Sequence, residues 1–204
     1  MKKIGILVFD DAEELDFVGP FEVFTMANEA AGLEGKGRAP YEVMLISETG
    51  EPIAGAKGMR VGADKSIDEV EALDVLLVPG GQGTRREVKN EKLLGWIARV
   101  SEGAEWVTSV CTGSLLLTAA GPAKGKRVTT HWAFVPQLRE RKEAAEVLEN
   151  VRYVRDGKVV TAAGVSAGID MALWLVGQME DPPFARMVQK FMEYDPAPPY
   201  AAEV

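Results

Sequence analysis

The sequence has little of what proteins use for cross-links and metal sites: one cysteine, Cys111, and one histidine, His131, in 204 residues. A single thiol cannot close an internal disulfide, and one histidine without a cysteine pair argues against a zinc site. No apolar run approaches the roughly 18 residues that a membrane-spanning helix requires. No block of lysine or arginine relieves a formal charge of −8, so neither nucleic acid nor an anionic membrane is an expected partner. The opening MKKIGILVFDD meets its aspartates too early for a signal peptide; with the unpaired cysteine, this predicts a cytoplasmic protein. Asparagine and glutamine are scarce beside glutamate, lysine and arginine, a leaning found in thermophiles. What the composition leaves open is a small-molecule ligand or another copy of the chain.

What is present is enough apolar sequence for one sizeable core. With 47% hydrophobic residues, residues 1–204 are expected to form one domain. Short β-rich runs (KIGILVF, YEVMLIS from Tyr41, DVLLVPG from Asp74, WVTSV from Trp106 and RVTTHW from Arg127) alternate with helical patterns. The helical segments are GPFEVFTMANEA, with Pro20 suited to a first turn, then EKLLGWIARVSE, GSLLLTAAG and ALWLVGQM. Continuous apolar strands suit a parallel sheet buried on both faces, so the pattern predicts an α/β fold. EPIAGAKGMRVGADKS reads as a hairpin excursion off the main sheet, and VRYVRDGKVVTAAG as a hairpin turning at Asp156-Gly157. The proline-rich tail EYDPAPPYAAEV is expected to lie extended over the surface or a neighbouring subunit.

The candidate site follows from the strand ends. In TSVCTGS, Cys111 falls at a sharp turn between WVTSV and GSLLLTAAG, at the carboxyl edge where open α/β sheets bind ligands. The following helix is expected to lower the thiol pKa, although a small buried cysteine is the plainer alternative. Pro79-Gly-Gly81 closes another strand, where the N–H of Gly81, with that of Thr112, could hold a developing anion or simply belong to a turn. Glu13, Glu14 and Asp16 follow the first strand, and Asp16 sits between apolar neighbours. Burial there would raise its pKa and make it a proton donor and acceptor; otherwise it is an ordinary helix N-terminal carboxylate. His131 ends RVTTHW and is either a base beside Cys111 or a packed residue. GGQGTR and GPAKGK lack the spacing of nucleotide-binding loops.

LDFVGPFEVF, VPGG, TSVCTGSLLLTAAG, TTHWAF, AAGVSAGIDMAL and MEYDPAPPY together resemble the isocyanide hydratases of the ThiJ/PfpI superfamily. The resemblance covers nearly the whole chain in order, and weakens over EAAGLEGKGR, which looks like an insertion ending at Arg38. It implies a flavodoxin-like three-layer sandwich with a mostly parallel sheet, a cysteine nucleophile in a strained elbow, a homodimer and no cofactor. It places the nucleophile on Cys111 and the acid/base carboxylate on Asp16, with backbone donors at Gly81 and Thr112 and His131 in support. Phe17, Val18 and Trp132 would line the pocket for the substituent. The alternatives within the superfamily are dicarbonyl or amide chemistry, or a redox-sensing thiol without turnover. TSVCTG and TTHW also occur in ligand-sensing domains of similar transcription regulators. Those continue into a DNA-binding helix pair, for which no room is expected after Tyr200.

Overall fold

The computed structural model describes residues 1–33 and 39–196 of the chain. Its strands are β1 (Lys2–Leu7), β2 (Tyr41–Ser47), β3 (Ile53–Ala54), β4 (Arg60–Val61), β5 (Lys65–Ser66), β6 (Val75–Val78), β7 (Trp106–Ser109), β8 (Arg127–Val128), β9 (Glu146–Val147), β10 (Tyr153–Asp156) and β11 (Val159–Ala162). Its helices are α1 (Glu14–Leu33), α2 (Thr84–Glu87), α3 (Glu91–Gly103), α4 (Gly113–Ala120), α5 (Val135–Glu140), α6 (Ala167–Met179) and α7 (Pro182–Phe191). Seven of the strands make one sheet in the order β10-β11-β7-β6-β1-β2-β5. All its neighbours run parallel except β10 against β11.

The reason for this sheet is visible in the strands themselves. β6, β7 and β11 are buried at every residue and β1 over its last four, the signature of strands covered on both faces. α1 packs with α6 and α7, and α3 packs with α4, giving helical layers about the sheet in a flavodoxin-like α/β fold. In α3 the buried Leu93, Trp96, Ile97 and Val100 recur on one helical face, and the side chain of Asn90 caps the first turn by accepting the Leu93 N–H.

The chain leaves β1 outward to β2, then returns across β1 to β6 and proceeds to β7 and β11. At such a reversal the loops beyond the carboxyl ends of the central strands splay apart and form a crevice. The segments after β1, β6, β7 and β11 all reach this edge, which is where the candidate residues lie.

Several expectations change. RVTTHW does not join the main sheet: only Arg127–Val128 is a strand, paired in parallel with β9. The threonines that follow bond elsewhere, Thr129 N–H to Thr161 Oγ1 at 2.8 Å and Thr130 Oγ1 to the Cys111 carbonyl at 2.9 Å, so the chain crosses the sheet edge instead of extending it. Pro20 lies inside α1, which begins at Glu14, and its ring removes the N–H that would have bonded to the Asp16 carbonyl. EAAGLEGKGR is helical as far as Leu33, and its residues 34–38 lie outside the described residues. Both hairpins form: β3 and β4 stand apart from the main sheet, whereas β11 is shared with it. In the tail, Tyr194 Oη donates to Asp170 Oδ1 at 2.9 Å, and residues 197–204 lie outside the described residues.

Candidate active site

Between the end of β7 and the start of α4 the chain turns within Val110, Cys111 and Thr112. Cys111 takes φ 54°, a left-handed conformation that costs a residue with a side chain about 1 kcal/mol or more and needs support on all sides. That support is present: its N–H is shared between the Ala162 and Ala163 carbonyls at 3.2 and 2.8 Å, and its own carbonyl accepts from Thr130 Oγ1 and Ser114 Oγ at 2.9 and 3.2 Å. Two glycines make room for the turn. A Cβ on Gly113 would lie 2.2 Å from the Val78 carbonyl, and one on Gly80 would lie 2.5 Å from Thr112 N and 2.9 Å from Cys111 Cβ.

Asp16 occupies the first turn of α1 and is wholly buried. Its Oδ2 accepts the Gly80 N–H at 2.8 Å, which ties it to the loop after β6. Its Oδ1 has no partner of hydrogen-bond geometry, although the Cys111 thiol is near enough to act on the carboxyl. An orphaned, buried carboxyl oxygen beside a thiol has strong reason to hold a proton.

The electrostatics agree. Burial pushes Asp16 from its ordinary 3.8 up to about 8; the Glu13 carboxylate adds to the rise, while the Gly80 N–H, Lys57 and Cys111 oppose it. Burial also pushes Cys111 from 9.0 up to about 12, helped by the charge of Asp16 and opposed by the N–H and hydroxyl of Thr112 and the N–H of Val165. This reverses the lowering expected from the helix N-terminus. Two of the first donors of α4 are already used, Gly113 N–H on the Val110 carbonyl at 2.9 Å and Leu115 N–H on the Thr112 carbonyl at 3.0 Å, and burial outweighs what is left. The two groups titrate as a pair that gives up one proton near pH 8 and holds the other to about pH 12.

Of the expected residues, Cys111, Asp16 and Thr112 meet at this edge. The Gly81 N–H departs from its expected role, because it donates to Thr112 Oγ1 at 3.0 Å. The Thr112 side chain thereby fixes the glycine loop, while its N–H faces the sulfur. His131 makes no hydrogen bond to the thiol; its Nδ1 accepts the Ala133 N–H at 3.2 Å, and its ring packs where a Cβ on Gly164 would lie, 2.4 Å from Cδ2. Phe17 is buried in the core, Val18 is half-buried, and Trp132 is 81% exposed. A cavity of about 330 Å³ is lined by His131, Trp132 and Val165 among others, and Cys111 is not part of its wall. Among the described residues no group of three or more His, Cys, Asp or Glu is arranged to hold a metal.

Two contributors escaped sequence reading. Val165 supplies the second N–H at the sulfur from φ 48°, an unusual conformation for a β-branched residue. Gly80 holds Asp16 through its N–H. Both act through the backbone, and only the glycine pair and the AAGVSAG stretch marked their neighbourhoods.

The isonitrile hydratase of Pseudomonas putida is 36% identical over 201 residues, 97% of this chain and 81% of that protein. The crystal structure of a ThiJ/PfpI family protein from Pseudomonas syringae superposes with a TM-score of 0.86 at 30% identity, covering 100% of this chain and 79% of that one. Drosophila melanogaster DJ-1beta shares the fold, with a TM-score of 0.81 at 20% identity over 95% of this chain and 98% of that one. The pattern of the DJ-1/PfpI family matches residues 2–178, a span that contains Asp16, the glycine loop and Cys111: the chain belongs to the DJ-1/PfpI family.

Proposed function

We propose that this protein hydrates isocyanides to N-substituted formamides, with Cys111 as nucleophile and Asp16 as acid and base. The observation that supports this reading most is the pairing of a thiol with a buried, proton-holding carboxyl in a chain so similar to an isonitrile hydratase. The terminal carbon of an isocyanide accepts a nucleophile and then needs a proton, so both groups are required at one place.

In the proposed sequence the singly ionised pair is the Asp16 carboxylate beside the Cys111 thiol, and the reactive form, thiolate beside carboxylic acid, arises when the carboxylate takes the thiol's proton. The sulfur bonds to the terminal carbon, and Asp16 gives that carbon its proton, leaving a neutral thioimidate and a carboxylate. Water then adds to the same carbon, with Asp16 relaying one of its protons to nitrogen. Collapse of the adduct breaks the carbon–sulfur bond, the hydroxyl proton passes to Asp16, and formamide leaves with thiolate and acid restored. The N–H groups of Thr112 and Val165 stabilise the sulfur whenever it carries charge. The rival reading, a thiol that signals by oxidation without turnover, needs the same thiolate but gives no role to the buried Asp16 carboxyl beside the sulfur.

The pH dependence follows with its sign. Below the first ionisation the pair holds both protons and no nucleophile exists, so kcat/KM is expected to climb about tenfold per pH unit and to level off above an apparent pKa of about 8. A rate that is flat or falling between pH 6 and 8 contradicts this order of ionisation. The covalent step has its own test, in which protein mixed with one equivalent of an alkyl isocyanide is quenched in acid and weighed intact. A gain of the whole isocyanide mass, mapped to the peptide bearing Cys111, is expected. Formamide accumulating with no adduct at any quench time overturns the thioimidate.

A further inference from the structure

The β3–β4 hairpin is fastened to the site's edge by more than its own pairing. Asp11 N–H donates to the Ala54 carbonyl and Ala56 N–H to the Ala12 carbonyl, both at 2.8 Å, and Lys57 N–H donates to Glu14 Oε1 at 2.6 Å. At the hairpin's turn the Lys57 ammonium reaches both carboxylate oxygens of Glu13 at 2.5 Å. Glu13 is in turn one corner of a closed ring of hydrogen bonds. Its N–H donates to the Gly80 carbonyl at 3.0 Å, the Gly80 N–H donates to Asp16 Oδ2 at 2.8 Å, and the Asp16 N–H donates to the Glu13 carbonyl at 3.1 Å.

We propose that Lys57 and Glu13 are positioning residues, an ion pair through which the hairpin sets how readily Asp16 gives and takes its proton. The ring holds the Glu13 backbone in fixed relation to the Asp16 carboxyl, and the cation opposes the repulsion that the Glu13 carboxylate imposes. Asp16 feels the Cys111 thiol from the elbow, the Gly80 N–H from the β6 loop, Glu13 from the same turn and Lys57 from the hairpin. α6 faces this part of α1 with the uncharged Gly168 and Ile169, against Pro20 and Gly19. Lys57 is 66% exposed at its side chain, so its influence is partly screened and weakens with salt. The inference takes Asp16 as the acid and base of the proposed hydration, but the tuning can be read without any turnover.

The test is a ¹³C titration of the Asp16 carboxyl in aspartate-labelled protein, the resonance assigned by its loss in Asp16→Asn. Lys57→Met leaves Glu13 unpaired and is expected to raise the Asp16 midpoint by roughly half a pH unit at low salt, less at high salt. Glu13→Gln removes the repelling charge and should lower the midpoint, while Lys57→Arg should restore it. Loss of a merely structural contact would not give shifts of opposite sign. Midpoints that stay put, or move the same way in both variants, overturn the proposal. A midpoint that moves as expected in a protein forming no formamide leaves the tuning standing and removes the hydratase reading; formamide formation with unmoved midpoints does the reverse.

Discussion

Asp16→Asn is expected to give a protein that is more stable than the parent at neutral pH and nearly inactive. The folded-state pKa of Asp16, about 8, lies above its ordinary 3.8, so the folded protein binds a proton that the unfolded chain releases. Stability contributed by this group is complete below pH 3.8 and is lost as pH rises to about 8. Asparagine is neutral throughout and escapes the loss, which amounts to at most about 4 kcal/mol at pH 7. Its oxygen can still accept the Gly80 N–H, but its NH₂ needs an acceptor in a buried place, which reduces the gain to roughly 2–3 kcal/mol. Turnover should fall by about 10²–10⁴, because the proton to carbon and the relay from water both vanish. Urea unfolding of parent and variant at pH 4 and pH 8 checks the stability part. A difference of equal size at both pH values would mean that Asp16 is not holding its proton in the folded state.

Gly113→Ala is the second large effect, and it falls on the elbow. The added Cβ would sit 2.2 Å from the Val78 carbonyl and 2.8 Å from the Pro79 carbonyl, both backbone atoms at the end of a fully buried strand. Neither a rotamer nor a flexible side chain can yield there, so a cost of about 3 kcal/mol or more is expected, with the elbow displaced and activity lost. Gly95→Ala is the natural control, because that glycine lies in α3 with open space around its missing Cβ. It should stabilise by up to about 1 kcal/mol, as alanine does for glycine in a helix interior. Equal unfolding midpoints for the two variants would show that the tight approach of α4 to β6 does not govern the elbow.

Sequence reading reached furthest where a physical signal is carried by side chains in a row. The apolar runs KIGIL, VLLV and WVTS read directly as buried parallel strands, and the polar or glycine residues that follow them read as the edge where loops gather. That alone brought the positions of Cys111 and Asp16 to one edge, and the apolar neighbours of Asp16 pointed to its raised pKa. RVTTHW misled because β-branched threonines suit strands equally well when their hydroxyls bond across a sheet edge, as Thr130 does to the Cys111 carbonyl. The thiol pKa misled because a helix end was weighed without knowing how deeply the sulfur is buried or that two of the helix's first donors are already occupied. Val165 and Gly80 contribute N–H groups that every residue but proline possesses, and the Lys57–Glu13 contact joins positions 44 residues apart through a hairpin whose docking no local pattern announces.

The central claim is that the Cys111 thiol carries out the chemistry. The most direct measurement follows N-substituted formamide from a simple alkyl isocyanide, at pH 8, with the parent protein and with Cys111→Ala side by side. Catalytic formamide formation by the parent and none above the buffer rate with Cys111→Ala is the predicted result. Formamide formed at a comparable rate by both proteins, or by neither, would contradict the account.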